Sequence, residues 1–264
     1  SGSNRITRDN FIKVLKDYEN KVLKNIEGYK SVEISGSYNS DKSKMDFGDM
    51  DLIVHIETTL DKKETKKNIT DYFSSLPDTL AVPFTSDKYR GKKFYNSGEI
   101  VTINFPQPDG TVQIDNIIAL DIKEMKFKKE FLDMPAEKQG LVLGLIKIAI
   151  QEDDPITLIN KLGLKPFDLK DNEEYEFNLS STELQLRAVK MEKVDGKLKQ
   201  TSKRILWNTT DWSFVNKILY KYQLDVSFED LVIQAQNNVK DKRGLSRIVG
   251  VFKSMITVKS GEVG

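Results

Sequence analysis

Two stretches of this chain with strand-like patterning carry aspartates where an apolar side chain is expected. Val112-Gln113-Ile114-Asp115-Asn116-Ile117-Ile118 sets Asp115 in the middle of an apolar run. Gly48-Asp49-Met50-Asp51-Leu52-Ile53-Val54 opens another such run with two aspartates spaced two apart. Side chains two apart on a strand project from one face, so Asp49 and Asp51 stand side by side. Neighbouring carboxylates repel each other, and an unpaired charge in an apolar strand is costly. A bound cation or an ion pair removes the problem, and a divalent cation does so most directly. Ligands that are all oxygen favour Mg²⁺ or Mn²⁺ over zinc.

The remaining composition narrows the chemistry. The 264 residues include no cysteine and one histidine, His55. Disulfides, thiolate zinc sites and a cysteine nucleophile are excluded, and a histidine-based triad or multi-histidine metal site is disfavoured. The longest apolar run, around Leu141–Ile150, is broken by Lys147 and falls short of the roughly 20 residues of a membrane span. No secretory signal is evident, so a cytoplasmic protein with no membrane partner is the expectation. Thirteen Phe and nine Tyr argue against disorder and for a packed core.

Periodicity predicts an α/β (α+β) protein in two parts, with a boundary between about Asp121 and Glu137 and domains at 1–125 and 126–264. In the first part a helix over Asn10–Ile26, capped by Asp9, leads to a strand Ser31–Ser35 and a polar loop Gly36–Gly48. A strand Met50–Glu57 and a lysine-rich helix Lys62–Ser75 follow, then strands at Thr79–Phe84, Ile100–Phe105 and Thr111–Leu120. The expectation is a small mixed sheet with helices on one face. The second part reads as mostly helical with one β-hairpin. Helices are expected at Glu137–Gln151, Pro155–Leu162, Trp212–Tyr222, after Ser227 and at Leu245–Ile256. Strands Glu183–Lys193 and Lys197–Trp207 flank Asp195-Gly196, a dipeptide suited to a type I′ turn.

Between the first strand and the aspartate pair lies Ile34-Ser35-Gly36-Ser37. Gly36-Ser37 just after a strand offers backbone N–H groups and a hydroxyl to a phosphate. A phosphate cradle beside a metal-holding carboxylate pair suits phosphoryl or nucleotidyl transfer. This arrangement resembles the DNA polymerase β-like nucleotidyltransferase superfamily: Gly-Ser, roughly ten residues, Asp-x-Asp between hydrophobics, then a third carboxylate on a later strand. The resemblance covers about Ser31 to Leu120, and the polar composition resembles the stand-alone bacterial and phage members. It implies that Asp49 and Asp51 hold both metal ions. Asp115 would bind the catalytic metal and help deprotonate the attacking hydroxyl, and Gly36 and Ser37 would contact the triphosphate of an NTP. The chain has Gly48 where many members place a serine before the first aspartate.

Other candidates compete with plainer roles. Asp121 is the alternative third carboxylate or a helix cap. His55 lies on the face of the aspartate pair and reads as structural. Lys88 and Arg90, in the basic loop Asp87–Lys93, either steer a triphosphate or nucleic-acid strand or sit at a solvated turn. The resemblance makes Lys147 a phosphate-binding candidate, against a snorkelling lysine. Trp207 and Trp212, with Lys199, Lys203, Arg204 and Lys217, form either core or an aromatic-basic surface for single strands. Residues 187–264 hold 15 basic and 8 acidic side chains, while residues 1–125 hold 18 and 20. A near-neutral total thus hides a basic last third suited to RNA, such as a tRNA end. The function expected is transfer of an NMP from an NTP to a hydroxyl on a nucleic acid. The alternatives are a cyclic-oligonucleotide synthase or toxin-type enzyme, and a non-catalytic nucleic-acid-binding module of the same fold.

Overall fold

The structure is a computed structural model that describes residues 4–134, 139, 154–180 and 182–219. It divides into two compact units, Ser1–Pro135 and Ala136–Gly264. The division falls after the 125/126 boundary expected from sequence, because a helix, Ile122–Leu132, runs across that point and packs on the first unit.

In the first unit a two-residue strand β1 (Ile6–Thr7) leads into helix α1 (Arg8–Lys21). Thr7, rather than Asp9, caps it by accepting from the Asn10 N–H. Phe11, Val14 and Tyr18 recur at helical spacing and are buried. The α-helix stops at Lys21, and Leu23–Asn25 continues as a 3₁₀ turn, short of the expected end at Ile26. Strand β2 (Tyr29–Ser35) follows, then a one-turn helix α2 (Ser37–Ser40), β3 (Asp46–Phe47), β4 (Asp49–Ile56) and helix α3 (Lys62–Ser75). The last has the bounds read from sequence, and Asp61 caps it by accepting from the Glu64 N–H at 2.8 Å. Strands β5 (Phe94–Ser97), β6 (Ile100–Gln107) and β7 (Gly110–Ala119) and helix α4 (Ile122–Leu132) complete the unit.

β2, β4, β7, β6 and β5 form a five-stranded mixed sheet in that order. Only the β4–β7 pair is parallel. The expected strand at Thr79–Phe84 is irregular. Pro83 has no N–H for a ladder, and the segment instead donates single bonds from Val82 to Asn104 and from Phe84 to Lys92. The edge is taken by β5, which sequence reading missed.

Alternation divides β4 between two cores. Met50, Leu52, Val54 and Ile56 face the main core with α1 and α3. Ile53 faces the opposite way, in a smaller cluster with Ile117, Ala119 and Met125 of α4. Helices therefore cover both faces, which corrects the one-sided expectation. α4 shields the half of its face that carries Ile53 and Ile117. Asp49, Asp51 and Asp115 lie further along the same face and are half-buried.

A charged cluster anchors α4. Lys128, 1% exposed, contacts Glu99 at 2.7 Å and Glu124 at 2.8 Å and donates to the Ile118 carbonyl at 3.0 Å. Lys62 at the start of α3 pairs with Glu124 and lies 3.7 Å from Glu99.

The second unit contains helix α5 (Pro155–Lys161), with proline in its first turn, and three antiparallel strands. These are β8 (Glu173–Leu179), β9 (Leu184–Val194) and β10 (Lys197–Thr209), in the order β10-β9-β8. β8 was not expected. The β9–β10 hairpin was, and Asp195 and Gly196 both adopt positive φ, 52° and 75°, as a type I′ turn requires. Helix α6 (Trp212–Leu219) starts after Asp211, which accepts from the Ser213 N–H at 2.9 Å. Apart from residue 139, the expected helices at Glu137–Gln151, after Ser227 and at Leu245–Ile256, and with them Lys147, lie outside the described residues. No helix of the described residues is long and apolar enough to cross a membrane.

Candidate active site

Sheet register assembles the carboxylates. Asp51 lies opposite Ser35 of β2 and Asp115 of β7. Asp115 lies opposite Thr102 of β6, and Thr102 opposite Tyr95 of β5. Directly opposed residues share a face, so one row reads Ser35, Asp51, Asp115, Thr102, Tyr95. The adjacent row holds Asp49 and Gln113. One carboxylate oxygen from each of Asp49, Asp51 and Asp115 lies within 4.8 Å of the other two.

The electrostatics follow from this crowding. Burial is the main cause that pushes Asp51 up to about 7, and the charges of Asp49 and Asp115 push the same way. Asp49 is raised too, first by burial and then by Asp115. The Lys44 ammonium counteracts both shifts, and Arg5 opposes that of Asp49. Asp115 accepts from Thr102 Oγ1 at 2.7 Å and from Gln113 Nε2 at 3.3 Å. Among the described residues no lysine or arginine forms an ion pair with any of the three. A compact set of hard carboxylate oxygens fits Mg²⁺ or Mn²⁺.

Gly36 explains its own identity. Its φ is 78°, and a Cβ there would stand 2.6 Å from Asp51 Oδ2. The chain must pass over Asp51 at that point, and only glycine leaves room. Ser37 then opens α2, and its hydroxyl accepts from Lys44 Nζ at 3.1 Å. Arg8 of α1 holds the intervening loop by donating to the carbonyls of Lys44 at 2.7 Å, Tyr38 at 3.0 Å and Asp41 at 2.8 Å. Its guanidinium lies 4.3 Å from the Tyr38 ring centre. The end of α4 grips the same turn: Asn39 Nδ2 donates to the Ile34 carbonyl and to Asp133, and Lys129 Nζ joins the same two groups.

Other sequence candidates are placed elsewhere. Asp121 caps α4 by accepting from the Glu124 N–H at 2.7 Å, so it is not the third carboxylate. His55 pairs in register with Ser31 and Ala119, four residues beyond Asp51, about 13 Å along the strand. Lys88 and Arg90 belong to the turn before β5, at the sheet edge opposite β2 and Gly36-Ser37. The carboxylates lie between the two groups. Arg90 pairs with Asp87 at 2.9 Å, and Lys88 Nζ lies 5.2 Å from the Tyr89 ring centre.

In the second unit Arg204 is committed to Glu173, at 2.8 and 2.9 Å. That pair, with the Lys170 N–H, holds the Glu173 carboxyl down at about 2. Trp207 packs edge-on against Phe214 at 5.1 Å, and Lys217 lies over the same Phe214. Lys199 and Lys203 are exposed on β10.

Sequence reasoning missed Lys44, Arg8, Thr102 and Tyr95. Lys44 and Arg8 meet only through the folded loop. Thr102 and Tyr95 reach the row only through strand register. Compared with known proteins, the chain matches no family model and no curated relative.

Proposed function

We propose that this chain is a metal-dependent nucleotidyltransferase that moves an NMP from an NTP to a hydroxyl of a nucleic-acid acceptor. The observation that carries the reading is the convergence of Asp49, Asp51 and Asp115 from two parallel strands, with no lysine or arginine in ion-pair contact with them among the described residues. Asp49, Asp51 and Asp115 would hold Mg²⁺ or Mn²⁺, whose chemistry there is to acidify the acceptor hydroxyl and offset charge on the leaving phosphates.

The chain's own groups supply the rest. Gly36 and Ser37 contact the triphosphate through backbone N–H groups and a hydroxyl, and Lys44 adds a positive charge beside Ser37. Asp115, fixed by Thr102 and Gln113, takes the proton of the acceptor hydroxyl. The acceptor oxygen bonds to the α-phosphorus, the bond from that phosphorus to the bridging oxygen breaks, and pyrophosphate leaves. The basic composition of residues 187–264 supports a polyanionic acceptor over a small neutral one.

The test is incubation with α-labelled NTPs and Mg²⁺ or Mn²⁺, with and without RNA. Asp49→Ala combined with Asp51→Ala is expected to lower label transfer by more than about a hundredfold. Transfer that survives this double substitution overturns the site. A labelled product formed without RNA identifies a cyclic-oligonucleotide synthase. RNA binding with no transfer by the unaltered protein identifies a non-catalytic module.

A further inference from the structure

The row Asp51, Asp115, Thr102, Tyr95 ends at a cavity of about 660 Å³ on the β5 edge of the sheet. Tyr89, Phe94, Tyr95, Asn96 and Lys92 form much of its wall with Ser74 of α3, and Lys93, also in the wall, pairs with Asp78 at 3.0 Å. The Tyr89 and Tyr95 rings stack nearly parallel, 4.2 Å apart and 9° from coplanar. Phe84 backs the pair, 4.9 Å from Tyr95. The turn that carries Tyr89 is closed by two backbone bonds, Gly91 N–H to the Phe84 carbonyl at 2.9 Å and Phe84 N–H to the Lys92 carbonyl at 2.8 Å. Strand spacing puts Tyr95 two strands from Asp115, about 10 Å away.

The two ends of this row differ in what they attract. The Asp115 end is anionic and takes cations. The Tyr95 end combines flat aromatic faces with Lys92 and takes a ring attached to a negatively charged group. A ligand spanning both presents a hydroxyl at one end and a ring and phosphate at the other. We propose that the cavity is the acceptor subsite: a nucleobase of a single-stranded 3′ end packs on the Tyr89–Tyr95 pair, its phosphate meets Lys92, and its terminal hydroxyl reaches Asp115. This rests on the nucleotidyl-transfer reading and names its acceptor class. Base–aromatic stacking tolerates every base, so the subsite selects a nucleic-acid end over a small saturated acceptor without choosing a sequence. The donor NTP belongs to the other side of the carboxylates, at Gly36-Ser37.

The experiment measures binding of a short fluorescein-labelled oligoadenylate RNA by anisotropy in EDTA, where no transfer occurs. Tyr89→Ala is expected to weaken binding about tenfold, and Tyr89→Phe to keep it near the unaltered value. Lys92→Glu, on the exposed turn, is expected to weaken it comparably and to flatten its salt dependence. Binding of ATP in Ca²⁺ should follow none of these changes. Unchanged RNA affinity in both Tyr89→Ala and Lys92→Glu overturns the subsite. So does a loss of ATP affinity with RNA affinity kept, which would place the donor base there. Failure of the transfer reading itself is seen separately, as absence of label transfer by the unaltered protein, because RNA binding in EDTA requires neither metal nor turnover.

Discussion

Two clusters of charge lie in the first unit, and they solve one physical problem in opposite ways. Around Lys128 two glutamates meet two lysines, and the chain supplies every counter-ion itself. Around Asp115 three carboxylates meet with no lysine or arginine in ion-pair contact among the described residues. The first arrangement holds α4 in place. The second keeps three carboxylates half-open, offset only at a distance by Lys44 and Arg5, at a standing cost in the metal-free protein. The difference separates a structural cluster from a candidate ligand site more clearly than burial or charge density alone.

The largest contrast should appear in stability without metal. Lys128→Met leaves Glu99 and Glu124 short of a partner and is expected to cost about 3 kcal/mol or more. Asp115→Asn removes repulsion and is expected to raise the melting temperature in EDTA. Calorimetry on both variants checks the pair. If they shift in the same direction, the two clusters are physically alike and the comparison fails.

A second contrast is in the response to cations. Mg²⁺ at about a hundredfold over its dissociation constant should stabilise the unaltered protein by about 2.7 kcal/mol. Asp51→Asn should lose most of that shift, and Lys128→Met should keep it. Melting curves with and without Mg²⁺ read this out.

The smallest expected effect is in pH, since the carboxylates are partly open to water and their interaction is screened. Asp51 is raised in the folded state to about 7, above its unfolded value of 3.8. Its contribution to stability is therefore full below the unfolded value and is lost as pH rises through about 7. Melting in EDTA should show a modest decline across that window, absent in Asp51→Asn. Mg²⁺ affinity should rise over the same window, because the cation displaces a proton.

The aspartates were legible in the sequence because a carboxylate in an apolar strand has few explanations. α3 and the Asp195-Gly196 hairpin were legible because capping and turn chemistry are local. β5 escaped notice because Phe94-Tyr95-Asn96-Ser97 is short, lies at an edge and lacks apolar alternation. α4 was cut by the expected boundary because its buried residues include Glu124 and Lys128, which read as surface until their partners are known. Thr102 and Lys44 become meaningful only once strand register and a loop closure bring them beside Asp115 and Ser37. No local pattern marks either residue.

The Arg8 clamp bears on how this site tolerates change over generations. Its hydrogen bonds are all to main-chain carbonyls, those of Tyr38, Asp41 and Lys44. Such a grip registers where the backbone runs and, apart from the Tyr38 and Phe47 rings under its guanidinium, ignores which side chains it bears. Between the glycine turn and the first aspartate, residue identities are thus free to drift wherever the side chain itself makes no contact. A gained or lost residue would move those carbonyls out of reach, so the loop's length is under tighter selection than its spelling.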